Sequence, residues 1–342
     1  MANLVNVLNT IRAKASATYQ ERVPEATQTN IEDIRYAMID GDNIAVANEF
    51  VSTLLNKLVK SMLITKMFEN PLKSLKKGKK PIGDGVEEIY TNFLKASAYN
   101  ADATDLFKRA LPDTKTVYHR MNRQEMYEIT VSRDELSKAF KSWENLESYI
   151  QSLVERLYSS AELDEFLHTK QLLKSAVDNN AIVVLETADP LTGKEAAAEF
   201  IKGVKTVSGL MAFPSTEYNA YLTAQSVDTV PITTFSRKSE QVLILDTATD
   251  VSLDVDVLAN IFNMTVAEFN DTKKIVIDHF PDANMRAALV DEMFFQIFDD
   301  LYTITNFKNP KSLYDSYYLH VWQTLAYSIL VNAVAFKVAS AG

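Results

Sequence analysis

The sequence predicts an α+β fold with more than one domain, and three observations support this prediction. Apolar residues recur at helical spacing over residues 142–178. Beyond that helix, short apolar runs typical of strands alternate with further helical patterns. The chain has 342 residues, which exceeds the usual size of one domain. We therefore expect a long helix in one domain and a separate α/β region.

The composition excludes several classes of protein. Apolar residues make up 47% and charged residues 23% of the chain, as in soluble globular proteins. The chain has no cysteine, which excludes a disulfide scaffold, a thiolate zinc site and a cysteine nucleophile. With only 8 glycines, a glycine-rich phosphate loop is not expected.

The net charge of −10 is unevenly distributed along the chain. Residues 239–300 contain 13 acidic and 3 basic side chains, whereas residues 66–80 contain six lysines and one glutamate. Residues 108–123 hold five basic side chains and one aspartate. An acidic chain is poorly suited to coating nucleic acid, because duplex binding requires neutralisation of phosphates. Opposite charges on one chain can instead attract two copies of it.

Residues 1–65 are mostly polar and show helical spacing only in short pieces. Residues 21–30 are typical of an arm that lies outside a core. The first ten residues lack the basic start and apolar run of a targeting signal. The clearest helical stretch of these residues contains Phe50, Leu54, Leu55, Leu58 and Met62.

Residues 66–138 predict a lysine-rich loop followed by a β-ribbon. Glycine and proline punctuate the loop. Strands are predicted at residues 86–94 and 116–131, with a polar tip between them. A two-stranded ribbon is marginally stable alone in water. We expect this ribbon to project from the body of its own chain and to rest on another molecule.

The strongest helical pattern begins after Ser142, whose hydroxyl is a good N-cap. Its apolar side includes the candidate core residues Trp143, Leu146 and Leu153. The pattern continues to residue 178, and an unbroken helix of 37 residues would span about 55 Å. A break near residues 159–160 is the alternative.

The rest of the chain predicts an α/β region and two closing strands. Strands are expected at residues 181–186, 242–245, 275–277 and 288–290, and helices at 194–211 and 255–262. Residues 313–323 are apolar or aromatic on both faces, which is typical of a strand buried between layers and places Trp322 in the core. A last strand is expected at 333–338. Residues 319–338 contain too many polar groups for a membrane helix.

Three sets of residues could carry chemistry, and each departs from the required pattern. Residues 188–195 link a strand to a helix as a P-loop does, but Ala188 and Glu195 occupy its glycine and serine/threonine positions. An aspartate cluster lacks the order and the glycine of a calcium loop; its members are Asp246, Asp250, Asp254 and Asp256. No histidines stand at metal-ligand spacing; the four are His119, His168, His279 and His320. We predict no catalytic, cofactor or metal site.

Eight segments occur in an order that is similar to one protein family. The segments are NPLKSLKKG (70–78), VEEIY (86–90), HRMNRQ (119–124), SWENLESY (142–149), LDVDVLANIFNM (253–264), KNPKSLY (308–314), YLHVWQ (318–323) and NAVAF (332–336). Together they resemble the major capsid proteins of small phi29-like tailed phages. They cover most of the chain, and their order is more specific than any one of them.

The resemblance implies a Hong Kong 97-type capsid fold. Its parts would be an N-terminal arm (1–65), an extended β-hairpin loop (66–138), a peripheral domain with the spine helix (139–190 and 305–342) and an axial α/β domain (191–304). Larger phi29-like relatives carry an immunoglobulin-like domain after the closing strand, and we expect it to be absent because this sequence ends at Gly342. The family has no catalytic motif to carry over, so the resemblance implies a structural protein without a cofactor.

The resemblance also implies what the chain assembles with. Copies of the chain would form pentamers and hexamers of a virion capsid that encloses double-stranded DNA. A separate scaffolding protein and a portal protein would be partners, no membrane would be involved, and assembly would take place in the cytoplasm of the bacterial host. The alternatives are an α/β nucleotide-using enzyme and an encapsulin-like cellular shell protein.

Basic residues of the loop and ribbon are the candidates for contacts between copies. Opposite charge on a neighbouring copy would attract them, whereas the simpler alternative is a charged loop that is only solvated. The candidates are Lys73, Lys76, Lys77, Lys79, Lys80, Arg120 and Arg123.

Overall fold

The computed structural model describes residues 2–39, 44–54, 68–99, 109, 111–225, 230–253, 274–309 and 314–339. The chain divides into two units with separate cores. Unit 1 comprises Met1–Asn70, Arg123–Glu165 and Asp299–Gln323, and unit 2 comprises Pro71–Asn122, Phe166–Phe298 and Thr324–Gly342. The division into arm, loop, peripheral and axial domains stays a prediction. Several predicted features lie outside the described residues: Leu55, Leu58, Met62, Asp254, Asp256 and the helix at 255–262.

Unit 1 begins with four helices that share a core. They are α1 (Ala2–Lys14), α2 (Ala17–Arg22), α3 (Ile31–Ile39) and α4 (Ile44–Thr53). The segment between α2 and α3 is part of this core, because Val23 and Ala26 are buried. The Asn9 side chain donates to the Ala26 carbonyl at 3.0 Å and accepts from its N–H at 2.7 Å, which satisfies the buried backbone. The prediction that residues 21–30 lie outside a core is therefore wrong.

The predicted spine helix is observed from Trp143 to Asp178, with a π-helical turn inside it. Ser142 caps its first part, α6 (Trp143–Val154), by accepting from the N–H of Asn145 at 3.2 Å. The π-helical turn at Glu155–Ser159 leads directly into α7 (Ser160–Asp178), so the backbone stays helical at residues 159–160 and the alternative of a break there is wrong. The candidate core residues on α6 are buried as predicted; they are Trp143, Leu146 and Leu153.

A short helix before α6 was not predicted. It is α5 (Arg133–Ala139), and Ser132 caps it by accepting from the N–H of Glu135 at 3.1 Å. Serine followed three residues later by glutamate is a recognised helix-start pattern. The sequence therefore carried a usable signal at this position.

A four-stranded sheet joins strands that are far apart in sequence. Its order is β1 (Gly78–Lys79), β9 (Phe295–Asn309), β10 (Tyr314–Tyr327) and β4 (Arg123–Ser132). Strands β4 and β10 are antiparallel, with Ser132 opposite Tyr314 and Arg123 opposite Gln323. Strand β9 was missed from the sequence, because Asp299 and Asp300 interrupt its apolar pattern.

The strand predicted at residues 116–131 is in fact two strands in different sheets. β3 (Thr114–His119) pairs with β2 (Val86–Thr91) in the ribbon, whereas β4 pairs with β10. Between β3 and β4, the Asn122 side chain donates to the Leu325 carbonyl and accepts from its N–H, both at 2.8 Å. These two hydrogen bonds hold the backbone at the point where the chain leaves the ribbon.

Strand β10 is fully buried on only one face. Tyr317, Leu319 and Val321 point into the core of unit 1, whereas Trp322 on the alternate face is partly exposed. A strand places successive side chains on opposite faces, so one packed layer can bury only every second residue. The placement of Trp322 in the core, and the burial of both faces, are therefore wrong.

Unit 2 is built on a mixed five-stranded sheet. Its order is β5 (Val183–Thr187), β11 (Ala333–Val338), β8 (Met285–Asp291), β6 (Gln241–Asp246) and β7 (Lys274–Ile277). β5 and β7 run parallel to their neighbours, whereas β8 is antiparallel to both β11 and β6. All four predicted strands and the predicted closing strand are confirmed here.

Helices cover both faces of this sheet. α8 (Lys194–Met211) packs on one face, where the rings of Phe200 and Phe336 lie 5.9 Å apart. The C-terminal part of α7, including Leu173, packs on the other face. Unit 2 also contains two short helices, α9 (Tyr221–Ala224) and α10 (Thr247–Ser252). In the described part of the chain, no helix is long and apolar enough to cross a membrane.

Candidate functional site

The ribbon of β2 and β3 presents two chemically different faces. Its strands pair in antiparallel register from Val86 opposite His119 to Thr91 opposite Thr114. Along both strands, half-buried residues alternate with exposed ones. One face therefore lies on the body of unit 2 and the other faces solvent in the single chain.

Polar contacts tie the inner face of the ribbon to unit 2. The Ser328 hydroxyl donates to the Glu88 carboxylate at 2.5 Å, and the Tyr90 hydroxyl donates to the Thr233 carbonyl. At the end of β2, the Asn92 amide donates to the Pro231 carbonyl at 3.1 Å. Its oxygen accepts from the N–H of Thr233 at 2.9 Å. The prediction that the ribbon projects freely from its own body is therefore wrong for this face.

The outer face of the ribbon carries large apolar side chains in solvent. Ile89 is 63% exposed and Tyr118 is 66% exposed. The connections at the ribbon tip add further exposed apolar side chains, which are Phe93, Leu94, Tyr99 and Leu111. Large apolar side chains that remain exposed in the single chain are candidates for a protein–protein contact.

The lysine-rich loop is anchored to unit 2 by apolar residues. Leu72 and Leu75 are buried in its core. Between and after them, the side chains of Lys73 and Lys79 are exposed, and those of Lys76 and Lys80 are partly exposed.

Lys77 is held within its own unit. Its ammonium group donates to the Glu292 carbonyl at 2.5 Å, and its backbone N–H donates to the Ile297 carbonyl at 2.9 Å. Burial lowers the pKa of Lys77, and the nearby carboxylate of Glu292 acts in the opposite direction. The lysine-rich loop and the acidic segment at residues 239–300 are therefore already in contact at Lys77 within one chain.

Of the two candidate arginines, the structure leaves only Arg120 on the surface. Arg123 is 4% exposed, and its guanidinium donates to the side chains of its own unit. The acceptors are Gln323 Oε1 at 2.6 Å, the Tyr127 hydroxyl at 2.9 Å and Glu125 Oε2 at 2.7 Å. A buried guanidinium requires such partners. Arg123 is therefore not part of the surface proposed below.

Residues 188–195, which resemble a P-loop, contain a turn that is held by its own hydrogen bonds and by one ion pair. The Asp189 carboxylate accepts from the N–H of Leu191 at 3.2 Å and pairs with Arg286, with the Nε–Oδ1 distance 3.0 Å. Asp189 therefore places negative charge in this loop, where a phosphate would need positive groups. Thr192 closes the turn by donating its hydroxyl hydrogen to the Asp189 carbonyl at 2.8 Å.

The aspartates and histidines have structural partners where they are described. Asp246 caps α10 by accepting from the N–H of Thr249 at 2.6 Å. The Oδ1 atom of Asp250 lies 2.9 Å from the Nζ atom of Lys274.

Three of the histidines have polar neighbours. The Nε2 atom of His119 lies 3.3 Å from Glu88 Oε1. The Nδ1 atom of His279 lies 2.9 Å from Asp278 Oδ2, and the Nε2 atom of His320 is hydrogen-bonded to the Thr305 hydroxyl. Across the described ranges, no three histidine or acidic side chains are grouped closely enough to hold a metal ion.

Comparison with known proteins gives one consistent result. A family model described as Phi29-like phage major capsid protein matches residues 8–337. The major capsid protein of Bacillus phage PZA is 33% identical over 97% of this chain and 72% of its own length. That of Bacillus phage B103 is 34% identical with the same coverage. The matches give no support to a nucleotide-using enzyme or to a cellular shell protein.

A solved phage capsid has a similar fold. The capsid structure of Staphylococcus phage Andhra contains a chain that aligns with a TM-score of 0.66 at 15% identity, over 82% of this chain and 87% of that one. Identity at this level shows the fold alone, and the predicted Hong Kong 97-type capsid fold is confirmed. From the match along residues 8–337 and the two curated relatives, the chain belongs to the Phi29-like phage major capsid protein family.

Proposed function

We propose that this capsid protein builds a phage head by self-association into pentamers and hexamers that enclose double-stranded DNA. The observation that carries the proposal is the outer face of the ribbon, where Ile89 and Tyr118 stand in solvent. A neighbouring copy would cover this face in the shell. Burial of apolar surface contributes about 25 cal/mol per Å². Ring contacts of this kind are head-to-tail, so each copy uses two different surfaces.

The charge of the chain supports enclosure of DNA without tight binding. With a net charge of −10, the chain lacks the overall positive charge that holds phosphate backbones. DNA could then be packed and released without the shell gripping it. We propose a separate scaffolding protein and a portal protein as assembly partners, the virion capsid as the location of the chain, and the host cytoplasm as the place of assembly.

The test is assembly of a variant with an altered ribbon face. Ile89→Lys combined with Tyr118→Lys should leave the subunit folded, because both side chains are exposed in the single chain. The variant should sediment as free subunits under conditions in which wild type forms shells that are visible by electron microscopy. Leu191→Lys, at another exposed apolar side chain of unit 2, is the control and should assemble. Shells of normal yield from the ribbon variant would contradict the proposal.

A further inference from the structure

One edge of the five-stranded sheet in unit 2 has no further strand beside it among the residues that the structure describes. β5 is the first strand of the sheet and pairs only with β11 among the described strands. Exposed edges invite pairing with another chain, and proteins commonly protect them with lysine, proline or a covering segment. The β5 sequence VVLET contains neither lysine nor proline. This edge is therefore suited to accept an additional strand.

A cavity of about 530 Å³ lies along this edge. Ile182, Val183 and Val184 form one wall, and Leu222 and Pro231 contribute apolar surface to the other. Val184 and Leu222 are exposed in the single chain. A strand added to β5 would therefore gain both backbone hydrogen bonds and an apolar groove for alternate side chains.

The chain also contains a segment without regular secondary structure that is exposed in the described part of the chain. Residues 94–99, with the sequence LKASAY, form neither helix nor strand. Leu94 is 80% exposed and Tyr99 is 94% exposed. The one charged side chain of this segment is Lys95, whereas the edge and its cavity carry Glu186 and Glu217. Segment and edge are therefore complementary in both charge and apolar character.

We propose that residues 94–99 of a second copy of this chain pair with the β5 edge and add a sixth strand to its sheet. This inference rests on the proposed function, because it requires that copies of the chain associate. β5 is five residues long, so a segment of six residues is long enough to pair along it. The contact is head-to-tail, since the segment of one copy meets the edge of the next.

The second copy is a better occupant than the segment of the same chain. Within one chain, Asn92 is held by Pro231 and Thr233, and the ring of Phe93 stacks on Phe235 at 6.3 Å. The residues that follow leave this anchor and remain exposed up to Tyr99. Each chain therefore presents an open edge and a separate uncovered segment.

Cysteine cross-linking tests the pairing, because the natural chain has no cysteine to interfere. Val184→Cys is combined in turn with Leu94→Cys, Lys95→Cys, Ala96→Cys or Ser97→Cys, and assembled shells are oxidised. Non-reducing gels should show a ladder of covalent oligomers. Its yield should alternate along the segment, because side chains of a paired strand alternate between faces.

The control pairs Val184→Cys with Val251→Cys, which is 81% exposed and therefore matches Leu94 in accessibility. It should give severalfold less ladder. If cysteine variants fail to assemble, hydrogen exchange on wild type provides the same test, since amides of Val183–Thr187 should exchange more slowly in shells than in free subunits. Absence of that slowing would overturn the pairing.

Further outcomes separate the pairing from the proposed function. Shells that give no ladder, a ladder without alternation, or a cross-link only within single chains would overturn the pairing and leave shell formation intact. Failure of wild type to form shells under any assembly condition would overturn both.

Discussion

At the scale of single residues, burial determines which role a side chain has. Residue type alone indicates the wrong role for two of the basic residues. Arg123 has the charge expected of a contact between copies, yet its guanidinium is used inside unit 1. Lys77 belongs to a run of lysines that is expected to be exposed, yet its ammonium group donates a hydrogen bond to the Glu292 carbonyl. In both cases the partner lies about 200 residues away in sequence, with separations of 200 and 215.

The alternation of β10 leads to a prediction about stability. Leu319→Ala should lower the free energy of unfolding by about 2–5 kcal/mol, the usual cost of truncating a fully buried leucine. Trp322→Ala should cost less than the about 3–5 kcal/mol of a fully buried tryptophan, because part of that side chain already contacts water. Denaturant unfolding of both variants measures the two losses. A loss above that range for the tryptophan variant would contradict the observed faces of the strand.

Asp291 leads to a prediction about pH dependence. Its carboxylate is buried, where it accepts from the Ser236 hydroxyl and from the N–H of Met293 at 2.8 Å. Burial raises the pKa of Asp291 above its ordinary value of 3.8. The folded state therefore penalises the charged form. This penalty is absent below the ordinary pKa, grows as the pH rises from there, and is complete above the raised value.

Asp291→Asn should remove this penalty. Asparagine has the same shape and keeps an oxygen for the N–H of Met293. The variant should be more stable than wild type at pH 7, by roughly 0.5–2 kcal/mol, the range common for stabilising substitutions. The difference should shrink toward pH 4. Thermal unfolding across pH tests this, and a variant that is equally stable, or less stable, at pH 7 would refute it.

At the scale of elements, the ribbon is attached to its own unit at specific points. The Asn92 side chain makes two hydrogen bonds there, with the Pro231 carbonyl and the Thr233 N–H. Beyond these anchors, the ribbon has no core of its own. The strength of the anchors should therefore set how often the ribbon opens in the free subunit.

Asn92→Ala should increase hydrogen exchange in β2 and β3 of the free subunit. The variant loses the hydrogen bonds that hold the end of β2, whereas the core of unit 2 is unchanged. Amides of β8, which lies inside the five-stranded sheet of unit 2, are the internal reference and should keep their exchange rates. Unchanged exchange in both strands would show that other contacts hold the ribbon.

At the scale of the whole molecule, charge remains the feature that could couple copies over a distance. Residues 239–300 hold 13 acidic side chains and 3 basic ones, and the exposed Lys73 and Lys79 belong to the oppositely charged loop. Exposed ion pairs contribute only about 0–1 kcal/mol each. A shell repeats the contact in every copy, so a small contribution can still shift the concentration at which assembly begins.

Lys73→Glu combined with Lys79→Glu should slow assembly at low salt without unfolding the subunit. The difference from wild type should narrow at high salt, because the screening length falls from about 10 Å at 0.1 M to about 3 Å at 1 M. Light scattering over a salt series measures this. Lys77→Glu is a contrasting variant and should destabilise the subunit, since its side chain is held beside Glu292. Equal assembly at low salt would show that the loop is only solvated.

Elements whose signals are local can be predicted from the amino-acid sequence. The helix at 194–211 and the strand at 333–338 are found within the predicted bounds, because apolar periodicity and flanking residues suffice to define them. Ser142 was identified as a cap, because a cap acts within one helical turn. The order of the eight segments from residue 70 to 336 also indicates the family without any knowledge of contacts in the fold.

Which surfaces are covered depends on contacts between residues that are distant in sequence, so it is known only from the folded chain. β4 separates from the ribbon because its partner is β10, which follows almost 200 residues later, with Arg123 opposite Gln323. β9 forms despite the two aspartates in its middle, because β1 and β10 pair with it in the sheet. The apolar pattern of β9 alone does not indicate this pairing. Burial depends on residues that are distant in sequence, whereas periodicity reports only on near neighbours. For that reason the basic loop and ribbon could be located from the sequence, but not the side chains on them that face solvent.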